Sequence, residues 1–281
     1  MNFNASRSGT TFEPQSGEAP SSLALRNNKN AKARWPELRA RTFDGSLERP
    51  GQIENLLSRD EQERLQRLAT LIEYKRGGTT IYSEGEDAQF LYFVEKGIVR
   101  TCRCAENGHR QILAFRGPGD LLGLPDSGRY ANSAETAGPS RIYRMPWQRM
   151  HQMLASEPHL QQIFLEKVAF DFRQAQARIM VLGQQNIYQR LASFILEFLY
   201  HSEYFDPKTS RLKLPVNRFD IADYLGTAPE SAARAFARLE AEGLVKRVTS
   251  RTVDILDLDG LIEMQRGRRR SHNKAPAAID A

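Results

Sequence analysis

Short runs rich in β-branched and aromatic residues follow one another between residues 76 and 146: TTIYSEG, FLYFVEKGIVRTCRC, RQILAFRG and SRIYRMP. Glycines at 77, 78, 85, 97, 108, 117 and 119 punctuate them. Turn signals at intervals of roughly 8–12 residues predict an antiparallel barrel or sandwich. Asn107-Gly108 suits a tight hairpin turn. Just upstream, Leu56, Leu57, Leu65, Leu68, Leu71 and Ile72 fall at near-helical intervals, so residues 51–72 read as helix. Ser58 is its expected cap, with Asp60, Glu61 and Glu63 near the first turn.

Beyond residue 146 the apolar period lengthens. Ser156 is the expected cap of a long helix, with Glu157 and Pro158 in its first turn. Leu165, Val168, Phe172, Ala175, Ile179 and Leu182 then alternate spacings of three and four, which is an a/d seam. About 26 helical residues make a rod of roughly 39 Å. Phe164, Phe170, Met180 and Val181 lie off the seam and form a second apolar face. A seam plus a separate face suits two partners, namely a second copy of the chain and the chain's own β domain. A helix buried within one subunit is the alternative. Gly183 marks the expected break. Ile187, Leu191, Phe194, Ile195, Phe198 and Leu199 then line one side of another helix, and 201–212 reads as a polar loop.

Residues 213–256 carry the densest pattern. Asn217 can cap a short helix bearing Ile221, Ala222 and Leu225, and Gly226 gives a tight turn. Thr227-Ala228-Pro229-Glu230 opens a second helix as a capping box. Two short helices across a glycine turn make a helix-turn-helix, and small Ala222 allows a close crossing. Gly243 ends the second helix. Leu244–Val248 and Thr252–Leu256 alternate around Thr249-Ser250-Arg251 as a wing hairpin.

Cations sit where such a unit meets DNA. Arg234 lies one turn beyond Glu230 and faces outward if Ala232, Ala235 and Phe236 face the core. Arg218, Arg238, Lys246, Arg247 and Arg251 flank it. Each alone is an ordinary exposed side chain. Together, with Thr227 at the helix start, they suit phosphate contact.

Net charge refines this picture. The chain has 281 residues and a formal charge of +6. Residues 1–50 contribute +3 and residues 264–281 contribute +4, which leaves the body near neutral. Local placement of cations, not bulk basicity, therefore points to nucleic acid. The first fifty residues show no period and read as a disordered arm, and 265–281 as a basic tail. No apolar run reaches the roughly 18 residues of a membrane span, and no secretory signal is visible. Two cysteines exclude a disulfide scaffold and suit a reducing cytoplasm.

The segment LPVNRFDIADYLGTAPESAARAFARLEAEGLV resembles the DNA-binding helices of the CRP/FNR superfamily, closest to its FNR/FixK branch. The likeness extends upstream through QRLASFILEFL, the seam helix, and LYFVEKGIVR and GHRQILAFRGPGDLLGL. It covers about residues 55–260. The resemblance implies an α+β chain with an N-terminal cyclic-nucleotide-binding-like antiparallel β-roll, a long dimerisation helix and a C-terminal winged helix-turn-helix. The expected division is a sensor at 51–155, a dimerisation helix at 156–185 and a DNA-binding domain at 186–264. It further implies a cytoplasmic homodimeric transcription regulator that reads a palindrome beside RNA polymerase, with no enzymatic activity, cofactor or membrane partner. Glu, two residues, Ser and Arg mark the FNR/FixK recognition helix. Glu230 and Arg234 match the outer positions as base contacts, and Ala233 replaces the serine. A relaxed or shifted half-site, rather than the usual TTGAT type, is what that replacement implies.

Cyclic-AMP binders of the superfamily carry Gly-Glu and later Arg-Ser/Thr in the phosphate cassette. Here Leu124 follows Gly123, and Asn132-Ser133 stands at the later position, so cyclic nucleotide binding is not expected. The iron–sulfur cysteines of FNR are also absent: residues 1–101 hold none, and the later position resembles Tyr143. The haem-binding members' Cys and His are replaced by Gly123 and Pro125. Cys102 and Cys104 lie two apart on one expected strand face; they are a redox pair, metal ligands with His109, or simply two small residues. FixK-like members without an effector, controlled through their own expression, offer a further precedent. The competing functions are a cyclic-nucleotide-responsive module and a cupin-like barrel enzyme, for which His109, His151 and His159 supply no convergent ligand set.

Overall fold

Alternation along residues 70–146 closes into two facing antiparallel sheets. The computed structural model describes residues 39–41, 53–55, 57–106, 108–199 and 203–267. The expected arm and tail, and Asn107 of the expected hairpin, lie wholly or largely outside them. A short hairpin comes first, β1 (Arg39–Arg41) against β2 (Ile53–Asn55), followed by α1 (Arg59–Leu68). The strands β3 (Thr70–Tyr74), β4 (Thr80–Tyr82), β5 (Phe90–Lys96), β6 (Val99–Cys104), β7 (Arg110–Arg116) and β8 (Leu121–Leu122) succeed it. The small pair β9 (Pro125–Asp126) and β10 (Arg129–Tyr130) precedes β11 (Ser133–Thr136) and β12 (Ser140–Pro146). One sheet runs β4-β11-β6-β7 and the other β3-β12-β5-β8. Their shared core holds Tyr82, Tyr92, Val94, Val99, Leu122, Tyr130, Ala134 and Ile142.

The expected helix over 51–72 is shorter than its spacing suggested. Ser58 does cap α1 in a capping box with Glu61, but Leu71 and Ile72 belong to β3. They pair with Tyr143 and Ile142 of β12, and the sheet ladder outweighs a helical spacing carried by two residues.

Three helices leave the β-roll: α2 (Trp147–Ser156), α3 (Pro158–Gln184) and α4 (Ile187–Leu199). The sequence pattern did not reveal α2. Ser156, expected to cap the long helix, instead closes α2, its hydroxyl donating to the carbonyls of Gln152 and Met153. Glu157 stands at the cap of α3 without a side-chain bond, and Pro158 opens the helix. Nor does Gly183 break it: α3 runs to Gln184, and Asn186 restarts the chain by accepting from the N–H groups of Tyr188 and Gln189. Leu165, Phe172 and Ile179 are 67%, 62% and 68% exposed, and Ala175 is exposed beside them; Val168 and Leu182 are half-buried. Leu160, Ile163 and Lys167 are buried.

A compact head follows: β13 (Phe205–Asp206), β14 (Arg211–Lys213), α5 (Arg218–Leu225), α6 (Pro229–Ala241), β15 (Val245–Thr249), β16 (Thr252–Ile255) and α7 (Leu258–Gln265). The polar loop expected over 201–212 thus contains strand. Leu212 pairs with Val253, so β14 extends the wing into the sheet β13-β14-β16-β15. One apolar cluster joins Ile98, Cys102, Ile112, Phe115 and Ala137 of the β-roll to α4, α5, α6 and the wing. Phe115 lies 5.1 Å from Tyr224 and 5.9 Å from Phe198 between ring centres.

Candidate nucleic-acid interface

Two helices and a hairpin build the reading surface. Asn217 caps α5, its Oδ1 accepting from the N–H groups of Phe219 and Asp220 at 2.9 Å each. Such a cap contributes about 1 kcal/mol. Gly226 ends the helix in the left-handed region, φ +66°, where a side chain would be strained. Ala222, Ala232 and Ala235 are buried at the crossing of α5 and α6. Small residues there let the two helices cross closely.

The expected capping box at α6 does not form. Pro229 takes the first helical position, so the cap falls on Ala228 and Glu230 becomes the second residue rather than the third. Thr227 instead gives its backbone N–H to the carbonyl of Ala222. Freed from capping, Glu230 is exposed and has no side-chain partner among the described residues; its charge suits the positive helix N-terminus. Ala232, Ala235, Phe236 and Leu239 turn inward, which puts Glu230, Ala233, Arg234 and Ala237 on the outer face. Arg234 donates to the hydroxyl of Ser231 at 2.9 Å. Sequence reasoning passed over Ser231, although its spacing three residues before Arg234 is the signal for such a bond.

The flanking cations divide into two groups. Arg238 is paired with Glu242 one turn on. Arg247 reaches back from the wing to Glu240 of α6 at 2.6 Å, and this pairing holds the Glu240 carboxyl below its ordinary range. Both are expected phosphate contacts, and both side chains remain substantially exposed. Each also has a carboxylate within the head, set by i,i+4 spacing in one case and by the return of β15 past α6 in the other. Arg218 lies over the ring of Phe219 at 5.0 Å, while Lys246 and Arg251 project from the wing. Among the described residues Arg218, Arg251 and Arg234 have no carboxylate partner, while Lys246 stands across the wing from Asp254, whose carboxyl Arg211 and then Lys246 hold below its ordinary value. Arg251 occupies the turn between β15 and β16, as expected.

Three buried tyrosines fill the β-roll core beside Gly123. Tyr82 stacks on Tyr130 with ring centres 4.1 Å apart and on Tyr92 at 5.4 Å. Gly123 has φ +81°, and a Cβ there would lie 2.9 Å from Tyr92. Asn132 accepts from the Tyr82 hydroxyl at 3.3 Å, and Arg129 turns outward to the carbonyl of Gly85. Cys102 is buried and Cys104 exposed. Burial pushes the Cys102 thiol up to about 11. No group of three or more His, Cys, Asp or Glu able to hold a metal occurs among the described residues.

Comparison with known proteins agrees with this geometry. Residues 72–157 match the cyclic nucleotide-binding domain model, and 189–264 match the Crp-like helix-turn-helix domain model. The nitrogen fixation regulation protein FixK of Bradyrhizobium diazoefficiens is 30% identical over 168 residues, spanning 60% of this chain and 71% of that protein. The chain belongs to the CRP/FNR family. It is a DNA-binding transcription regulator of that type and not an enzyme. FixK of Azorhizobium caulinodans is 28% identical over 81% of this chain and 88% of its own length. The solved structure of FixK2 from Bradyrhizobium japonicum superposes with a TM-score of 0.63 at 26% identity, covering 70% of this CRP/FNR chain and 96% of that one.

The described helices include none long and apolar enough to cross a membrane. What the sequence did not disclose is how firmly α5 is held. Arg100 and Arg110 of the β-roll reach Asp220 and Asp223 of α5, and Arg178 and Arg190 meet the carbonyls at its far end.

Proposed function

We propose that two copies of the chain join along Leu165, Val168, Phe172, Ala175, Ile179 and Leu182 of α3 and read an inverted repeat, one half-site per α6. The exposed outer face of α6 carries this reading: an acid and an arginine, separated by small residues, stand clear of the rest of the molecule. Arg234 can donate bidentately to guanine O6 and N7, Glu230 can accept from cytosine N4, and Ala233 presents a methyl to a base edge. Arg218, Thr227, Lys246 and Arg251 surround that face as phosphate contacts. Arg238 and Arg247 hold the head together more than they hold DNA.

On this reading residues 51–155 form a sensor-type body, 156–185 the dimerisation helix and 186–264 the reading head. The stacked tyrosines, Leu124 and Asn132 favour action without a cyclic nucleotide, because Leu124 and Asn132 stand where the resemblance places the acid for ribose and the cation for the cyclic phosphate. The relatives' role in nitrogen-fixation regulation favours control of oxygen- or nitrogen-oxide-linked metabolism, at promoters in the cytoplasm and with RNA polymerase as partner. Fluorescence anisotropy with inverted-repeat duplexes, with and without cyclic AMP, tests the proposal. Nanomolar-range, sequence-dependent binding unchanged by the nucleotide supports it. Sequence-independent binding, or strict dependence on cyclic AMP, overturns it.

A further inference from the structure

We propose that α5 is a ruler for half-site spacing: the ion cluster that joins it to the β-roll fixes the angle between the reading head and the dimerisation helix. This rests on the homodimeric reading above.

The helix is gripped on two sides. Arg100 donates to Glu135 at 2.6 Å and to Asp220 at 2.6 Å. Arg110 donates to Asp220 at 3.0 Å and to Asp223 at 2.6 Å. Asp220 is 1% exposed and the Arg100 side chain 10%, so the centre of the cluster is withdrawn from water. A buried guanidinium has a planar fork of donors and tolerates few arrangements, whereas an exposed pair shifts freely. At the other end the last carbonyls of α5 would lack partners. Gln111 donates to the carbonyl of Asp223 at 2.6 Å, and Arg178 to that of Tyr224 while stacking 3.6 Å from its ring. Arg190 bridges the carbonyls of Leu225 and Leu182 at 3.1 and 2.7 Å.

These contacts tie α5 to the two-fold seam. Arg178 adjoins Ile179, and the Cβ position at Gly226 lies 3.7 Å from a methyl of Leu182, both seam residues. Since α6 follows α5 after a three-residue turn and packs on its alanines, it moves with α5. Between α3 and α4 stand only Gln185 and Asn186, a short link that would otherwise let the head swivel. One inserted base pair shifts a half-site by about 3.4 Å and rotates it by roughly 35°. A head free to swivel could follow that change, whereas a head bolted to the β-roll could not.

The test measures binding to duplexes whose half-sites are set at the best spacing and one base pair either side, and to a single half-site. Wild type, Arg110→Glu, Asp223→Lys and the charge-swapped double variant are compared. Melting temperature and sedimentation report fold and dimer. Wild type should discriminate against altered spacing by about tenfold or more. Each single variant should discriminate less than about threefold while binding the lone half-site within about twofold of wild type. The double variant restores the 110–223 pair but not the contacts of position 110 with Asp220 and Glu135, so it should recover part of the lost discrimination, which a merely structural loss would not do. If a single variant fails to fold, Asp223→Ala at this partly exposed position replaces it. Folded, dimeric single variants that keep the wild-type spacing preference overturn the ruler, as does a dimeric wild type indifferent to spacing. A monomeric wild type overturns the dimeric reading beneath it.

Discussion

Lys167 is fully buried on α3, with its ammonium 2.9 Å from the carboxylate of Asp120 in the turn before β8. Its second partner is Asp171 at 3.1 Å, which Arg116 of β7 also meets at 3.0 Å. Burial would raise the Asp120 carboxyl, but Lys167 and Arg116 outweigh that and hold it below its ordinary value. The long helix is thus pinned to the β-roll by charge as well as by Leu160 and Ile163.

Removing the ammonium leaves the half-buried Asp120 carboxylate without its direct ion-pair partner, while Asp171 keeps Arg116. Lys167→Met should therefore destabilise the protein by about 3–5 kcal/mol, read by urea denaturation at pH 7. The acid dependence has a definite sign. A depressed carboxyl contributes stability above its unfolded value near 3.9 and loses it as pH falls through the folded value. The gap between wild type and variant should therefore be full at pH 5–7 and shrink below about pH 4. A gap that widens on acidification would contradict the pairing.

The exposed seam predicts assembly. Phe172→Glu sets like charges face to face near the middle of a two-fold apolar contact. Sedimentation should show a dimer for wild type and a monomer for the variant, each at micromolar concentration. A wild-type monomer there would remove the basis for the paired reading heads.

The two groups of cations predict different responses on DNA. Arg234→Ala should cost about 1–3 kcal/mol on the preferred site and relax one guanine position. Arg251→Ala should weaken all sequences alike and lower the salt slope by about one per affected phosphate. Arg247→Ala should leave the salt slope nearly unchanged and instead lower the melting temperature, because its charge is already matched by Glu240. A half-site mutation panel at several salt concentrations separates the three. A uniform loss for Arg234→Ala would pass base reading to Glu230 or a neighbour.

The cysteines should differ chemically. A thiol raised to about 11 by burial stays protonated at neutral pH, so a thiol reagent should label Cys104 and spare Cys102 in the folded protein. Mass spectrometry before and after denaturation reads the difference. Equal labelling at both sites in the native state would mean that the contact burying Cys102 opens readily.

Much of the head could be read from residue types alone. Asn217 and Gly226 bracket α5 because a polar cap and a left-handed turn depend on single residues. The start of α6 shifted by one because Pro229 fits the first turn better than the capping-box pattern allowed. The ends of the β-roll were harder: Leu71 and Ile72 satisfy two periods, and β12, some seventy residues away, decides between them. The ion cluster was illegible for the same reason. Asp220 and Asp223 stand on an otherwise largely apolar helix, a local sign of buried charge, yet their partners Arg100 and Arg110 lie more than a hundred residues upstream.

The stack of Tyr82, Tyr92 and Tyr130 has a consequence for supply and demand in the cell. Under the effector-free reading, a β-roll already filled by its own rings leaves the abundance of the chain as the variable that sets promoter occupancy. Two chains enter each complex, so while free chains are dilute and mostly monomeric, occupancy rises with the square of their concentration and a doubling gives about a fourfold gain. Synthesis and degradation then act as the signal, and the steepness that a ligand switch would provide comes from assembly itself.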